Sequence, residues 1–185
     1  MAQRRLFFAL PPSAATAMQI ADWRDRAMNC PGTAVPAANF HITLAFMGPV
    51  EEDKIEILCA AADEACDNSE PLCRSLSLNQ IGYWPRPGIL WLGPREWPAT
   101  LTKLASRLRQ TAASCGARRE RNRFQPHVTL FRRCPSPPAM PAESPGIAFD
   151  IEGLTLFESR QGRNGVSYHP LCEWDLTDSH ASNLL

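Results

Sequence analysis

The chain has 185 residues, of which 44% are hydrophobic and 21% charged, with 19 basic side chains against 19 acidic ones. That length buries a core without staples, and that composition excludes a disordered or fibrous chain. A formal net charge of zero excludes a global field as the means of finding nucleic acid, so affinity for phosphate has to come from local clusters.

Residues 6–10, Leu-Phe-Phe-Ala-Leu, read as a buried first strand. Pro11-Pro12 cuts this run short of the roughly 7 to 15 apolar residues of an export signal, and no stretch approaches the ~18 that span a bilayer. A cytoplasmic protein is expected. A helix follows over residues 13–28, with Ala17, Ile20, Ala21, Arg24 and Met28 on one stripe and Asp22 and Arg26 opposite. Cys30-Pro31-Gly32 ends it, and residues 36–39 form a loop into a strand over 40–47, closed by Gly48-Pro49.

Glu51, Glu52 and Asp53 supply the negative charge favoured in a first helical turn, and Ile55, Leu58, Cys59, Ala62 and Cys66 mark the second helix. Residues 72–92 are strand-like, with a turn at 83–88 and a buried Ile89-Leu90-Trp91-Leu92. A third helix over 98–113, carrying Leu101, Leu104, Ala105, Leu108 and Ala112, ends at Gly116. Residues 118–133 then hold six Arg against one Glu. Residues 135–145 form a proline-rich surface loop. Strands over 147–157 and 166–176, joined by 158–165, finish the chain before a frayed tail.

Cys30, Cys59, Cys66, Cys73, Cys115, Cys134 and Cys172 are odd in number and include no C-x-x-C pair. They read as small buried hydrophobes of a reducing compartment rather than as a disulfide framework or zinc site.

The strongest pattern is a repeat, His41-Ile42-Thr43-Leu44 and His127-Val128-Thr129-Leu130. With four His, nine Thr and nineteen Leu, chance produces such a pair about once in ten thousand chains. In a strand, His and Thr at i and i+2 emerge side by side while the residues between them face the other way. Two imidazoles can divide labour, one neutral as base and one protonated as acid. A hydroxyl beside each can donate to an oxygen on which charge builds. Such a set suits in-line displacement at phosphorus, in which one His activates the nucleophile and the other protonates the leaving oxygen. The residues alone leave the two His equivalent.

The chain has no H-E-x-x-H, no H-x-H and no carboxylate at ligand spacing near either motif, so no metal and no cofactor are expected. His169 and His180 lack the Thr partner and are given no role. Arg132 is a candidate for the phosphate, although strict alternation points it away from Thr129 unless a bulge turns it back. The Arg cluster at 118–123 reads either as a solvated loop or as a phosphate-backbone contact. Phe7, Phe46, Phe131 and Tyr83-Trp84 are available to stack on a base, but core packing is the commoner fate of strand aromatics.

The twin motif, the opening Arg5-Leu-Phe-Phe-Ala-Leu-Pro11, the strand Trp91-Leu-Gly93, the stretch Pro126-His-Val-Thr-Leu-Phe-Arg132 and the closing Tyr168-His-Pro-Leu-Cys-Glu-Trp174 resemble the bacterial RNA 2′,3′-cyclic phosphodiesterases, or 2′-5′ RNA ligases, of the two-histidine phosphoesterase superfamily. The resemblance implies an α/β (α+β) fold, a single two-lobed domain over 1–185. In it antiparallel sheets with outer helices are related by a pseudo-twofold, and the two motif strands face a central cleft. It further implies metal-independent opening of a terminal 2′,3′-cyclic phosphate to a 2′-phosphate. In that scheme His41 is the proton donor, His127 the proton acceptor, and Thr43 and Thr129 bind the phosphate.

The partner is then an RNA with a cyclic phosphate end, the protein a monomer with no membrane contact. Rival readings are reversible 2′-5′ RNA ligation, a phosphodiesterase for small cyclic nucleotides, and an RNA-end-binding protein without turnover.

Overall fold

The Ser13 hydroxyl accepts the Thr16 backbone N–H at 3.1 Å and so caps the first helix, satisfying a donor that has no partner inside it. The third helix starts after Pro98, whose preset backbone suits a helix entrance, and buries Leu101, Leu104, Ala105, Leu108 and Ala112 along one stripe. These local choices recur through the computed structural model, which describes residues 3–70, 72–117, 122–141, 145–163 and 165–177.

In chain order the elements are β1 (Gln3–Leu10), α1 (Ala14–Ala27), β2 (Thr33–Ala34), β3 (Ile42–Glu51), α2 (Ile55–Asp67), β4 (Ser75–Leu78), β5 (Gln80–Trp84), β6 (Ile89–Gly93), α3 (Ala99–Ser114), β7 (Val128–Arg132), β8 (Ile147–Asp150), β9 (Gly153–Gly162) and β10 (Gly165–Asp175). The result is an α+β fold of antiparallel sheets with three α-helices among the described residues. The large sheet runs β10-β9-β1-β3-β7-β6-β5, with β2 added beside β7, and β4 pairs with β8 in a small separate sheet.

The halves meet where Ile42 pairs with Val128 across β3 and β7. β1–α1–β3 on one side and β6–α3–β7 on the other follow the same strand–helix–strand order. Ile42, Leu44, Val128 and Leu130 are completely buried, and α3 packs on β3. The motif strands are therefore neighbours in one continuous sheet, where the sequence suggested two lobes confronting each other. No helix among the described residues is long and apolar enough to cross a membrane.

Three expectations change. β3 runs on through Gly48-Pro49 to Glu51, because β1 continues to pair with it, Pro49 opposite Arg5; β7 engages β3 only at Ile42, far from the proline. The strand expected over 147–157 is two, β8 and β9, which belong to different sheets. β9 and β10 also absorb most of the loop expected at 158–165 as a hairpin.

Arg24, read into an otherwise apolar stripe, is 6% exposed. Its guanidinium lies 5.5 and 5.6 Å from the Phe40 and Phe131 ring centres and donates to the Val35 carbonyl, a stacked and bonded burial that only a delocalised cation supports. The segment 118–121, with most of the Arg cluster, lies outside the described residues, as do 142–144 and His180.

The Ile42–Val128 contact joins the halves, so Ile42→Ala is expected to destabilise the fold by about 2–5 kcal/mol. Urea unfolding should show this as a lower midpoint with an unchanged m-value.

Candidate active site

Antiparallel pairing of Ile42 with Val128, continued one residue each way, sets His41 opposite Thr129 and Thr43 opposite His127. Ile42 and Val128 point into the core with no exposure, so the two His and two Thr leave the sheet on its other face. Each imidazole stands one residue before its strand. There its Nδ1 lies 2.8 Å from the backbone oxygen two residues back, Asn39 for His41 and Gln125 for His127. A carbonyl only accepts, so Nδ1 carries the proton and each ring turns a bare Nε2 away from the chain.

The two rings are walled differently. His41 packs against Phe7 at 4.9 Å and edge-on to Tyr168 at 5.0 Å, while His127 meets Trp84 at 4.6 Å and Trp91 at 6.2 Å. Burial against these walls disfavours the charged imidazolium. It is the main reason that His41 is held far below its ordinary 6.5, at about 4, and that His127 is lowered too. The nearby positive charge of Arg132 pushes both rings in the same direction, while the carbonyl bonds oppose the shift.

Arg132 reaches this face through a bulge. Leu90 pairs with Phe131 and Trp91 with Thr129, leaving Leu130 as an extra residue in β7. Leu130 and Phe131 are consecutively buried, and the following Arg132 is returned to the His/Thr side. Its Nη2 donates to the Tyr168 hydroxyl at 3.3 Å.

β3 is bulged at the equivalent place, since Phe8 pairs with Ala45 and Ala9 with Thr43, leaving Leu44 extra. The residue it turns back is Phe46, 42% exposed. The carbonyls of both bulged residues are engaged: Arg109 Nε donates to Leu44 at 3.1 Å and the Val35 N–H to Leu130 at 2.9 Å. Matched bulges thus deliver a cation beside one motif and an apolar ring beside the other.

A groove of about 710 Å³ opens beside His127, lined among others by Thr43, Phe46, Trp84, Arg109 and Arg123. Two buried donors on its lining, Trp91 Nε1 and Gln125 Nε2, lack a hydrogen-bond partner. Buried donors are seldom left so without a purpose. Phosphate oxygens near Thr43 and Thr129, with Arg132 as counter-charge and one Nε2 on either side, match this arrangement chemically.

The other predicted residues divide clearly. Phe46 and Trp84 line the groove, Phe7 is a buried wall of His41, and Phe131 is core beneath Arg24. The Tyr83 hydroxyl is bound to the Cys134 carbonyl at 2.9 Å. His169 contacts the Ser167 hydroxyl on β10 and takes no part in the pair. Sequence reasoning from the residues missed Tyr168, Trp91, Gln125 and Arg109, none of which stands in either motif. Among the described residues no cluster of three or more His, Cys, Asp or Glu converges as a metal site.

The 2′-5′ RNA ligase superfamily model matches residues 10–163. The RNA 2′,3′-cyclic phosphodiesterase of Escherichia coli K12 is 34% identical over 177 residues, covering 94% of this chain and 97% of that one. The crystal structure of E. coli LigT complexed with 3′-AMP superposes with a TM-score of 0.87 at 34% identity, covering 95% of this chain and 99% of that one. A Thermus thermophilus structure, 23% identical, shares the fold with a TM-score of 0.76 over 95% of this chain and 100% of its own. With a family model matched over most of its length and a third of its residues shared with the E. coli protein, the chain belongs to the 2′-5′ RNA ligase superfamily.

Proposed function

We infer that the protein is an RNA 2′,3′-cyclic phosphodiesterase that opens a terminal cyclic phosphate to a 2′-phosphomonoester by proton transfer between two imidazoles and without a metal. The observation that carries this reading is the matched bond of both Nδ1 atoms to a carbonyl two residues back, which leaves two bare Nε2 atoms beside two Thr on one face. We read the two rings, which stand at equivalent places in the two strand–helix–strand halves, as flanking one bound phosphate. Support for the substrate class comes from the E. coli relative's name and from the nucleotide bound in the LigT crystal structure.

His127 Nε2 takes a proton from water as the water oxygen bonds to phosphorus. The bond from phosphorus to the ribose 3′ oxygen breaks in line, and His41 Nε2–H gives that oxygen its proton. Thr43, Thr129 and Arg132 hold the non-bridging oxygens as charge builds on them. Near pH 7 the free protein has a neutral His41, so a proton arrives with the substrate, whose anionic phosphate offsets Arg132 and favours the imidazolium. A ring that is hard to charge is a strong acid once charged, which suits the donor.

One observation favours a second nucleophile. The groove lies on the His127 side and has aromatic and cationic walls, far more than a water needs. An RNA 5′-hydroxyl seated there would enter along the same line and yield a 2′-5′ linkage. Hydrolysis wins wherever water competes at its bulk concentration.

With a short RNA ending in a 2′,3′-cyclic phosphate, turnover in EDTA is expected to equal turnover without it. His41→Ala and His127→Ala should each lower kcat by about 10²–10⁴ with a nearly unchanged Tm. Loss of activity in EDTA restored by a divalent ion would overturn the metal-free step, and parallel loss of Tm and activity would make the two His structural.

The pH profile carries a sign. Because kcat/KM reports the free enzyme and both imidazoles are lowered there, its bell should peak below pH 6.5, the unperturbed imidazole value. The kcat profile should lie at higher pH. Arg132→Met removes a charge that depresses both rings, so it should move the kcat/KM bell upward while lowering its height about tenfold or more.

A further inference from the structure

Away from the His/Thr face, the fold brings together two thiols that the phosphoester chemistry does not use. Cys30, just beyond α1, and Cys134, two residues past Arg132, are 104 residues apart in sequence, yet their sulfurs lie 3.1 Å from each other. A sulfur–sulfur bond is about 2 Å, so roughly 1 Å of closure separates contact from bond.

The surroundings hold Cys134 in place. Its N–H donates to the Gly88 carbonyl at 2.9 Å and its own carbonyl accepts from Tyr83 at 2.9 Å. A Cβ on Gly88 would come within 2.6 Å of the Cys134 carbonyl oxygen, and one on Gly32 within 2.7 Å of its sulfur, so both neighbouring segments approach as only glycine allows. Cys30 Sγ accepts the Gly32 N–H at 3.4 Å. Both thiols are therefore fixed in place and face each other.

We propose that Cys30 and Cys134 form a dithiol site that a low-molecular-weight disulfide of the glutathione type oxidises to an intramolecular disulfide. Cys30 is partly exposed and Cys134 is 3% exposed. Burial and the neighbouring sulfur push the Cys134 thiol up to about 11, which keeps it protonated and leaves the first attack to Cys30. The Cys30 thiolate bonds to one sulfur of the small disulfide, breaking its S–S bond and expelling one thiolate. Cys134 then attacks the Cys30 sulfur, giving up its proton and expelling the second small thiol. Two protein thiols are oxidised and one small disulfide is reduced to two thiols.

The bond fastens the segment after α1 to the end of β7. It also braces the turn at residues 85–88, because Gly88 is bonded to Cys134 and Pro85, Arg86 and Pro87 line the groove. The site stands whether or not the phosphodiesterase reading holds.

The test incubates the full chain with glutathione disulfide, then combines thiol counting, peptide mapping and thermal melting. The expected result is loss of two thiols, a linked peptide pair containing Cys30 and Cys134, and a Tm raised by about 5 °C or more over the reduced protein. Cys30→Ser should abolish the link and the shift, while Cys59→Ser should leave both intact; should Cys134→Ser fail to fold, the Cys30 variant still decides. Glutathione left as a mixed disulfide on Cys30 would overturn the proposal. So would a link confined to Cys59 and Cys172, whose thiols also interact.

Discussion

The site depends on one pair of aliphatic side chains. Ile42 and Val128 oppose each other at the seam of the large sheet, both fully buried. Because side chains alternate across a strand, burying these two commits the neighbouring His and Thr of both strands to the opposite face. A one-residue slip of β3 against β7 would bury His41 and Thr43 and expose Ile42, so register and chemistry are specified by the same hydrophobic contact. The carbonyls of Asn39 and Gln125 then orient the rings from outside the strands.

The repeat supplies two equivalent halves, and the chemistry comes from where they differ. After each motif a bulge brings the residue three past the Thr back to the site, Phe46 in one half and Arg132 in the other. Arg132 puts a fixed positive charge beside both rings and a hydrogen bond on Tyr168, which borders His41. The Phe46 side is instead the wall of an open groove with Trp84. In the proposed mechanism the first side takes the anion against a closed wall and the second admits the entering group. This asymmetry is a physical basis for giving the two imidazoles opposite roles.

The sequence made much of this legible. The H-x-T-L repeat identified all four polar residues of the shared face, and the stripe from Ala17 to Met28, the Gly116 stop and the stripe of Leu at 101, 104 and 108 located their helices. What it could not show was long-range. Nothing local in residues 127–132 reveals the bulge at Leu130, since that arises from pairing with Leu90 and Trp91. Tyr168 and Trp91 reach the site through sheet order, which a motif does not encode. Arg24 is buried on the stripe where the sequence put it, but the partners that make this possible, Phe40, Phe131 and the Val35 carbonyl, come from other segments. Cys30 and Cys134 carry no spacing signal, and only the meeting of α1's exit with the end of β7 joins them.

The central claim is that two imidazoles on opposite sides of a cyclic phosphate deliver and remove protons in a fixed direction. ³¹P NMR of the product formed from an RNA ending in a 2′,3′-cyclic phosphate reads that direction from the position of the phosphate. A 2′-phosphomonoester as the sole product is the predicted result. A 3′-phosphomonoester, or an equal mixture, would contradict the assignment of His41 to the 3′ oxygen and of His127 to water.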